Sequence, residues 1–232
     1  PYDHISAGMM ASAAELGLAA KSEGIITLHD GSATPGQDAR EILGSDDTVF
    51  DVNVTPDRGY ALSARGLTRE IASAFDLEFS DVAQDPSIAG IDISGVPAPS
   101  GETIAVSVEE STKAKRFGVR TVEGIEPNAT APFWMQRELM LAGVRSVNAA
   151  TDVTNYVMLL TGQPMHAFDA DKIAGGLRVH NAADGEKFET LDHVERTLTA
   201  EDVVISDDNG IQSLAGVMGG TTSEISDETV NV

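Results

Sequence analysis

Cysteine is absent from the 232 residues, and aromatic residues make up only 5% of them. Without cysteine the chain has no disulfides, thiolate zinc sites or cysteine nucleophiles, so any metal would need oxygen or imidazole ligands. The longest aliphatic run, from Tyr156 to Leu160, is far short of the roughly 18 apolar residues of a membrane-spanning helix. The hydrophobic fraction of 41% is that of a folded globular chain.

Basic residues are also scarce: 15 Lys and Arg stand against 37 Asp and Glu, giving a net charge of −22. Such a surface does not favour phosphate binding in general. The exception is residues 111–145, where six bases face three acids. These bases are Lys113, Lys115, Arg116, Arg120, Arg137 and Arg145. They are either solvated surface charges or the one place where an anion would bind.

Pro1 is not a translation start, and neither a signal peptide nor a transit segment follows it. We therefore expect the chain to be an excised fragment. Residues 80–101 are rich in Pro and Gly and are typical of a linker. The main domain boundary is predicted near residue 100.

Hydrophobic periodicity predicts an α+β fold of short strands in mixed sheets with a few helices. Phe50, Val52 and Val54 alternate as in a half-buried strand, and Ser63 is placed to cap a helix with Leu67, Ile71 and Ala74 on its buried face. Further helices are expected after Pro132, with Met135, Leu139 and Ala142 buried, and over Val153–Leu160. Predicted strands are Ile104–Val108, Val119–Glu123, Leu177–His180, Lys187–Leu191, Val203–Ser206 and Ile211–Met218.

A glycine cluster and one histidine stand out as candidates for chemistry. Gly216–Gly220 forms either a plain turn or a cradle whose amide N–H groups approach a ligand. His166 lies in a proline-fixed loop after a helix, where it is either a structural hydrogen-bonding residue or a group that polarises water. Asn155 is a candidate near the same end of the chain. The spacing of His166, Asp169 and Asp171 matches no standard ligand set, so no metal is expected.

Several ordered blocks resemble the β subunit of bacterial phenylalanyl-tRNA synthetase. The longest runs from Ala142-Gly143-Val144-Arg145 through Thr151-Asp152-Val153-Thr154-Asn155 to Gly162-Gln163-Pro164-Met165-His166-Ala167-Phe168-Asp169. The others are Val54–Arg58 with Ser63–Ala72, Thr130–Leu139, and Ala215–Gly220 with Asp227–Thr229. Two positions depart from the family: Asp57 stands where asparagine is usual, and Gly59 where an acidic residue often follows the arginine.

The resemblance implies three parts: residues 1–45 as the tail of an OB-fold tRNA-binding domain, 46–100 as part of the first β-subunit domain with a linker, and 101–232 as an editing module that is incomplete at its C-terminus. In the family, that module hydrolyses tyrosyl-tRNA(Phe). An apolar pocket built for phenylalanine rejects a substrate with one added hydroxyl by only about 10²-fold, so a second, hydrolytic site is needed.

Carried over from the family, the editing positions fall on His166 and Asn155 as catalytic residues and on Gly219, Gly220 and Arg145 as substrate-binding residues. The glutamate that receives the tyrosine hydroxyl is expected just beyond Val232. No residue resembles an activated nucleophile, so water-mediated deacylation is expected, with the substrate's own ribose hydroxyl as a further contributor.

For the whole enzyme, the resemblance implies charging of tRNA(Phe) with phenylalanine, and ATP and Mg bound outside these residues. The implied partners are tRNA(Phe) and the α subunit, in a cytoplasmic heterotetramer of two α and two β subunits with no membrane contact. The fragment alone is expected to be inactive in aminoacylation. Two alternatives stay open: a non-catalytic scaffold that docks tRNA and the α subunit, and a free-standing aminoacyl-tRNA deacylase.

Overall fold

The structure is a computed structural model that describes residues 10–16, 24–28, 33–44 and 47–232. The chain divides into two compact units: one holds residues 1–53 and 131–147, and the other holds 54–130 and 148–232. The described residues form four α-helices: α1 (Ala39–Leu43), α2 (Ala64–Ala74), α3 (Phe133–Leu141) and α4 (Ala149–Thr161). They also form seven strands: β1 (Val106–Val108), β2 (Leu177–Asn181), β3 (Lys187–Glu189), β4 (Glu195–Thr197), β5 (Val203–Asp207), β6 (Gly210–Leu214) and β7 (Met218–Gly219).

The first unit contains α1 and α3. Met135 and Leu139, one turn apart on α3, are buried as predicted, whereas Ala142 is exposed at the helix end. The prediction of a strand around Phe50 and Val52 is wrong: residues 48–54 form no strand, and Phe50 is 80% exposed. Alternation produces a strand only where a neighbouring strand completes the hydrogen-bond ladder, and among the described residues none pairs with this segment.

The second unit is built on a five-stranded sheet with the order β1-β2-β5-β6-β7. β1 and β2 are parallel, the other neighbours are antiparallel, and β3 and β4 form a separate two-stranded sheet. This arrangement confirms the predicted α+β class. The predicted strand Val119–Glu123 is wrong: these residues form no strand, and their pairing is limited to an isolated bridge between Glu123 and Asn231 with the adjacent backbone hydrogen bonds of Val122.

Both faces of the central sheet are covered. Leu177, Val179 and Ile205 form a buried cluster on one face. The other cluster contains Val204 of β5 and Phe188 of β3, together with Ala182 and Leu198. Because successive strand residues point to opposite faces, neighbouring residues of β5 serve different cores. The first of these faces supports the cavity described below.

Helix α2 begins where predicted, because the Ser63 hydroxyl accepts a hydrogen bond from the Gly66 N–H at 3.1 Å. Its buried face is not the predicted one. Gly66 and Ala72 are buried, whereas Ile71 is 53% exposed. A Cβ on Gly66 would overlap the Tyr60 carbonyl oxygen. The small residues of α2 therefore lie on the side where the helix packs closest to the Tyr60 backbone. None of the helices in the described ranges is long and apolar enough to cross a membrane.

The last residues of the chain are held to the second unit by hydrogen bonds. Val122 and Val232 exchange backbone hydrogen bonds of 2.8 and 2.9 Å. The buried Asp169 carboxylate accepts a bond of 2.8 Å from the Thr229 hydroxyl and pairs with the Lys172 ammonium at 3.1 Å. Burial alone would raise the pKa of Asp169, but these hydrogen bonds and the Lys172 charge outweigh it and lower that pKa.

We predict that Thr229→Val lowers the free energy of unfolding by about 1 to 3 kcal/mol, because it removes a buried hydrogen bond to a carboxylate. Thr55→Val is the matched control, since the Thr55 hydroxyl donates to Asp57 at an exposed position. We expect it to cost less than about 0.5 kcal/mol. Urea unfolding followed by circular dichroism measures both, and equal losses would contradict the assignment.

Candidate functional site

A cavity of about 820 Å³ lies on one face of the five-stranded sheet in the second unit. Its floor comprises Leu177, Val179 and Ile205. The other walls are residues 163–168 after α4, residues 213–219 around the β6–β7 turn, and residues 116–121. Mostly apolar walls with a few polar groups are typical of sites that bind small organic groups.

His166 is the central polar side chain of this cavity. The turn that leads to it is fixed by Gly162, which ends α4 in the left-handed conformation with a φ of 79°. The imidazole packs edge-on against the Phe168 ring, with the centroids 4.6 Å apart and the planes at 83°. Its position is therefore set by packing rather than by hydrogen bonds.

The two imidazole nitrogens of His166 have different surroundings. Nε2 is buried and has no hydrogen-bond partner, whereas Nδ1 is not fully buried and makes no hydrogen bond within the described part of the chain. Burial lowers the pKa of His166 below 6.5, so the ring is neutral near pH 7. Because no protein group fixes its tautomer, Nδ1 can donate or accept a proton.

Gly219 lies directly against this imidazole. A Cβ at Gly219 would come within 2.2 Å of both Cε1 and Nε2 of His166, a distance that no real contact allows. The Gly219 carbonyl accepts a hydrogen bond of 3.0 Å from the Leu191 N–H. The structure thus brings His166 and Gly219 together, and any side chain at Gly219 would displace the ring.

Gly220 has a packing role. A Cβ there would lie 2.5 Å from the Phe188 ring, and the Gly220 N–H already donates to the Gln212 carbonyl at 2.8 Å. This N–H is therefore occupied and does not serve as the ligand cradle that the glycine cluster suggested. A role of Gly220 in substrate binding stays a prediction.

Asn155 and Arg145 are not among the residues that line the cavity. Asn155 is half-buried on α4, and its side chain is not among those that line the cavity. Arg145 follows α3 in the first unit, where it is exposed. The catalytic role of Asn155 and the binding role of Arg145 stay predictions.

Asp169 and Asp171 bind the last residues of the chain through their carboxylates. The Asp169 carboxylate is bonded to Thr229 and Lys172, and the Asp171 carboxylate accepts from the Asn231 amide at 3.0 Å. Within the described ranges, no group of three or more His, Cys, Asp or Glu residues could hold a metal ion.

Sequence reasoning missed the apolar walls of the cavity. Met165, Phe168 and Met218 line it, but nothing in their spacing distinguishes them from ordinary core residues. It also did not connect the basic residues with His166. Arg116 and Arg120 line the same cavity, and the local excess of positive charge was the signal that could have placed them there.

The lowered pKa of His166 predicts how stability depends on pH. The pKa of His166 is about 6.5 in the unfolded chain and lower in the folded one. Between these two values the unfolded chain binds more protons than the folded chain, so the free energy of unfolding falls as the pH decreases. Wild type should therefore lose more unfolding free energy than His166→Gln between pH 7 and pH 5. Urea titrations at several pH values measure the difference, and parallel profiles would contradict a buried neutral imidazole.

Substitutions of the two adjacent glycines should have separable effects. Gly220→Ala overpacks the Phe188 core and should cost about 1 to 3 kcal/mol of unfolding free energy. Gly219→Ala should instead shift the imidazole NMR resonances of His166, because the new methyl occupies the space of the ring. Gly95→Ala is the control, since its Cβ would meet nothing within 4 Å. Unchanged His166 resonances in Gly219→Ala would contradict this packing.

Comparison with known proteins places this chain in a family. Residues 113–232 match the family model of the B3/4 domain, which is just over half of the chain. Over its full length the chain is 71% identical to the phenylalanine–tRNA ligase beta subunit of Corynebacterium diphtheriae and 69% identical to that of Corynebacterium glutamicum. It spans 28% of the length of each of these curated relatives.

A solved structure of an N-terminal fragment of the phenylalanyl-tRNA synthetase beta subunit from Pyrococcus horikoshii is more distant. It is 19% identical, with a TM-score of 0.43, over 80% of this chain and 56% of that one. This likeness is too weak to add to the argument. The predicted resemblance is confirmed by the matches to the corynebacterial subunits, which cover the whole of this chain. The family match and the α+β fold agree, and the chain belongs to the B3/4 domain family.

Proposed function

We propose that this chain is the part of a phenylalanine–tRNA ligase β subunit that carries most of an editing site, which hydrolyses tyrosyl-tRNA(Phe). The observation that supports this most directly is the seating of His166 against Gly219 in the wall of a largely apolar cavity. Both residues were assigned to the editing site from the family resemblance, and they are adjacent in space although 53 positions apart in the sequence.

The chemistry required is the hydrolysis of an aminoacyl ester. A water oxygen attacks the carbonyl carbon, the ester bond to the ribose oxygen breaks, and that oxygen leaves with a proton. A neutral imidazole can accept the proton of the water and later donate one to the leaving oxygen. In our proposal Nδ1 of His166 performs this transfer, since Nε2 is covered by Gly219.

Selection for tyrosine needs a polar group that receives the phenol hydroxyl. A site that hydrogen-bonds a substrate hydroxyl rejects the analogue lacking it, because its own polar group would be left unpaired. The family resemblance places the relevant glutamate just after Val232. Val232 itself lines the cavity.

The proposal extends to the whole enzyme. Together with an α subunit, in a heterotetramer of two α and two β subunits, it would charge tRNA(Phe) with phenylalanine using ATP and Mg bound outside these residues. Its location would be the cytoplasm. In this arrangement the module described here removes tyrosine that the synthetic site has attached by mistake.

We predict that His166→Ala in the full-length β subunit, assembled with its α partner, reduces the deacylation of tyrosyl-tRNA(Phe) by about 10²- to 10⁴-fold, the usual contribution of a positioned acid–base group. Charging with phenylalanine should be unchanged. His193→Ala is the matched control, because His193 is exposed and pairs with Glu189 at 3.3 Å. Release of labelled tyrosine measures the reaction.

Other outcomes would support the alternatives. Full deacylation by His166→Ala, with the fold intact, would contradict the editing role and favour a scaffold that docks tRNA and the α subunit. Deacylation that a chelator abolishes would favour metal-assisted hydrolysis. Deacylation by the β segment without its partner would favour a free-standing deacylase.

A further inference from the structure

Four basic residues lie within eight positions of one another in the sequence, and two of them line the cavity. They are Lys113, Lys115, Arg116 and Arg120, and we call residues 113–120 the basic segment. All four side chains belong to exposed residues, and both arginines line the cavity. A residue that is exposed and also lines the cavity lies where the cavity opens, so the two arginines mark its mouth.

These charges are not used in ion pairs. None of the four pairs with an Asp or Glu in the described part of the chain. This is unexpected in a chain with 37 acidic and 15 basic residues. Elsewhere most described bases do have carboxylate partners, namely Arg40, Arg58, Arg65, Arg137, Lys172, Lys187 and Arg196. The basic segment is thus a local concentration of unpaired positive charge in a strongly negative protein.

Two side-chain contacts hold this segment at the cavity wall. The Phe117 side chain packs against the buried cluster of Leu177, Val179 and Ile205. The Arg120 guanidinium donates one hydrogen bond, of 2.8 Å, to the Pro97 carbonyl. A guanidinium has five N–H donors, so this contact orients Arg120 and leaves most of its donors available.

We propose that Arg116 and Arg120, assisted by Lys113 and Lys115, bind the last phosphodiesters of an RNA 3′ end whose terminal aminoacyl ester enters the cavity. The inference rests on the proposed function, because an ester that reaches His166 has its polynucleotide at the cavity mouth. Guanidinium groups pair with phosphate oxygens through short, charge-assisted bonds. The segment would thus select esters attached to a polynucleotide over free amino-acid esters.

The test compares two substrates of the full-length β subunit assembled with its α partner. One is tyrosyl-tRNA(Phe), and the other is 3′-O-tyrosyl-adenosine, which has the same ester and no phosphodiester. The variant is Arg116→Gln with Arg120→Gln. The matched control is Arg178→Gln, since Arg178 is exposed, has no ion pair among the described residues and lies between Leu177 and Val179 on β2, on the opposite face from the cavity.

We expect kcat/KM for tyrosyl-tRNA(Phe) to fall by about ten-fold for each arginine removed, the usual scale for a hydrogen bond to a charged group. The kcat/KM for tyrosyl-adenosine should stay within about two-fold of the wild-type value, which is well below the effect of losing one hydrogen bond to a charged group. That second substrate also shows that the variant is folded. The slope of log kcat/KM against log salt concentration should become shallower by about 0.7 per lost phosphate contact. Arg178→Gln should change none of these quantities.

Three results would overturn the proposal. One is a double variant whose kcat/KM for tyrosyl-tRNA(Phe) equals that of wild type. If that double variant also assembles less tightly with the α subunit, the basic segment binds an acidic protein surface instead of RNA. Equal losses on both substrates would mean that the arginines act inside the cavity and not on phosphate. Wild-type enzyme that hydrolyses neither substrate would contradict the proposed function itself, and this inference with it.

Discussion

The imidazole of His166 occupies the space in which a side chain at position 219 would lie. This single steric constraint joins the loop after α4 to strand β7. It covers Nε2, leaves Nδ1 less than fully buried, and keeps the ring in surroundings that lower its pKa. A neutral histidine with one free nitrogen is the form that can transfer protons near pH 7. The chemistry proposed for the cavity depends on this contact.

The remainder of the second unit holds the cavity walls in position. The sheet provides an apolar floor, and the buried Asp169 ties Thr229 and the last residues of the chain to the loop that follows His166. The opening carries unpaired positive charge although the chain as a whole carries −22. An apolar cavity with a basic mouth suits a ligand that has an aromatic group at one end and phosphates at the other.

Local signals in the sequence predicted much of the fold. Ser63 caps α2 as predicted, because capping depends on a few adjacent residues. The alternation at Phe50 and Val52 failed, since a strand also needs a partner that local sequence does not specify. In the site, the convergence of His166 on Gly219 was suggested by family resemblance rather than by spacing. The apolar walls could not be predicted, because cavity-lining and core residues have the same composition.

The most direct test of this account is a crystal structure of the full-length α–β enzyme with a non-hydrolysable amide analogue of 3′-tyrosyl-adenosine. The account predicts that the amide nitrogen, which replaces the leaving ribose oxygen, lies within hydrogen-bond distance of Nδ1 of His166 or is joined to it by one water, with the tyrosine ring over Leu177 and Val179. An analogue bound in the cavity but away from His166, or bound elsewhere on the enzyme with the cavity empty, would contradict it.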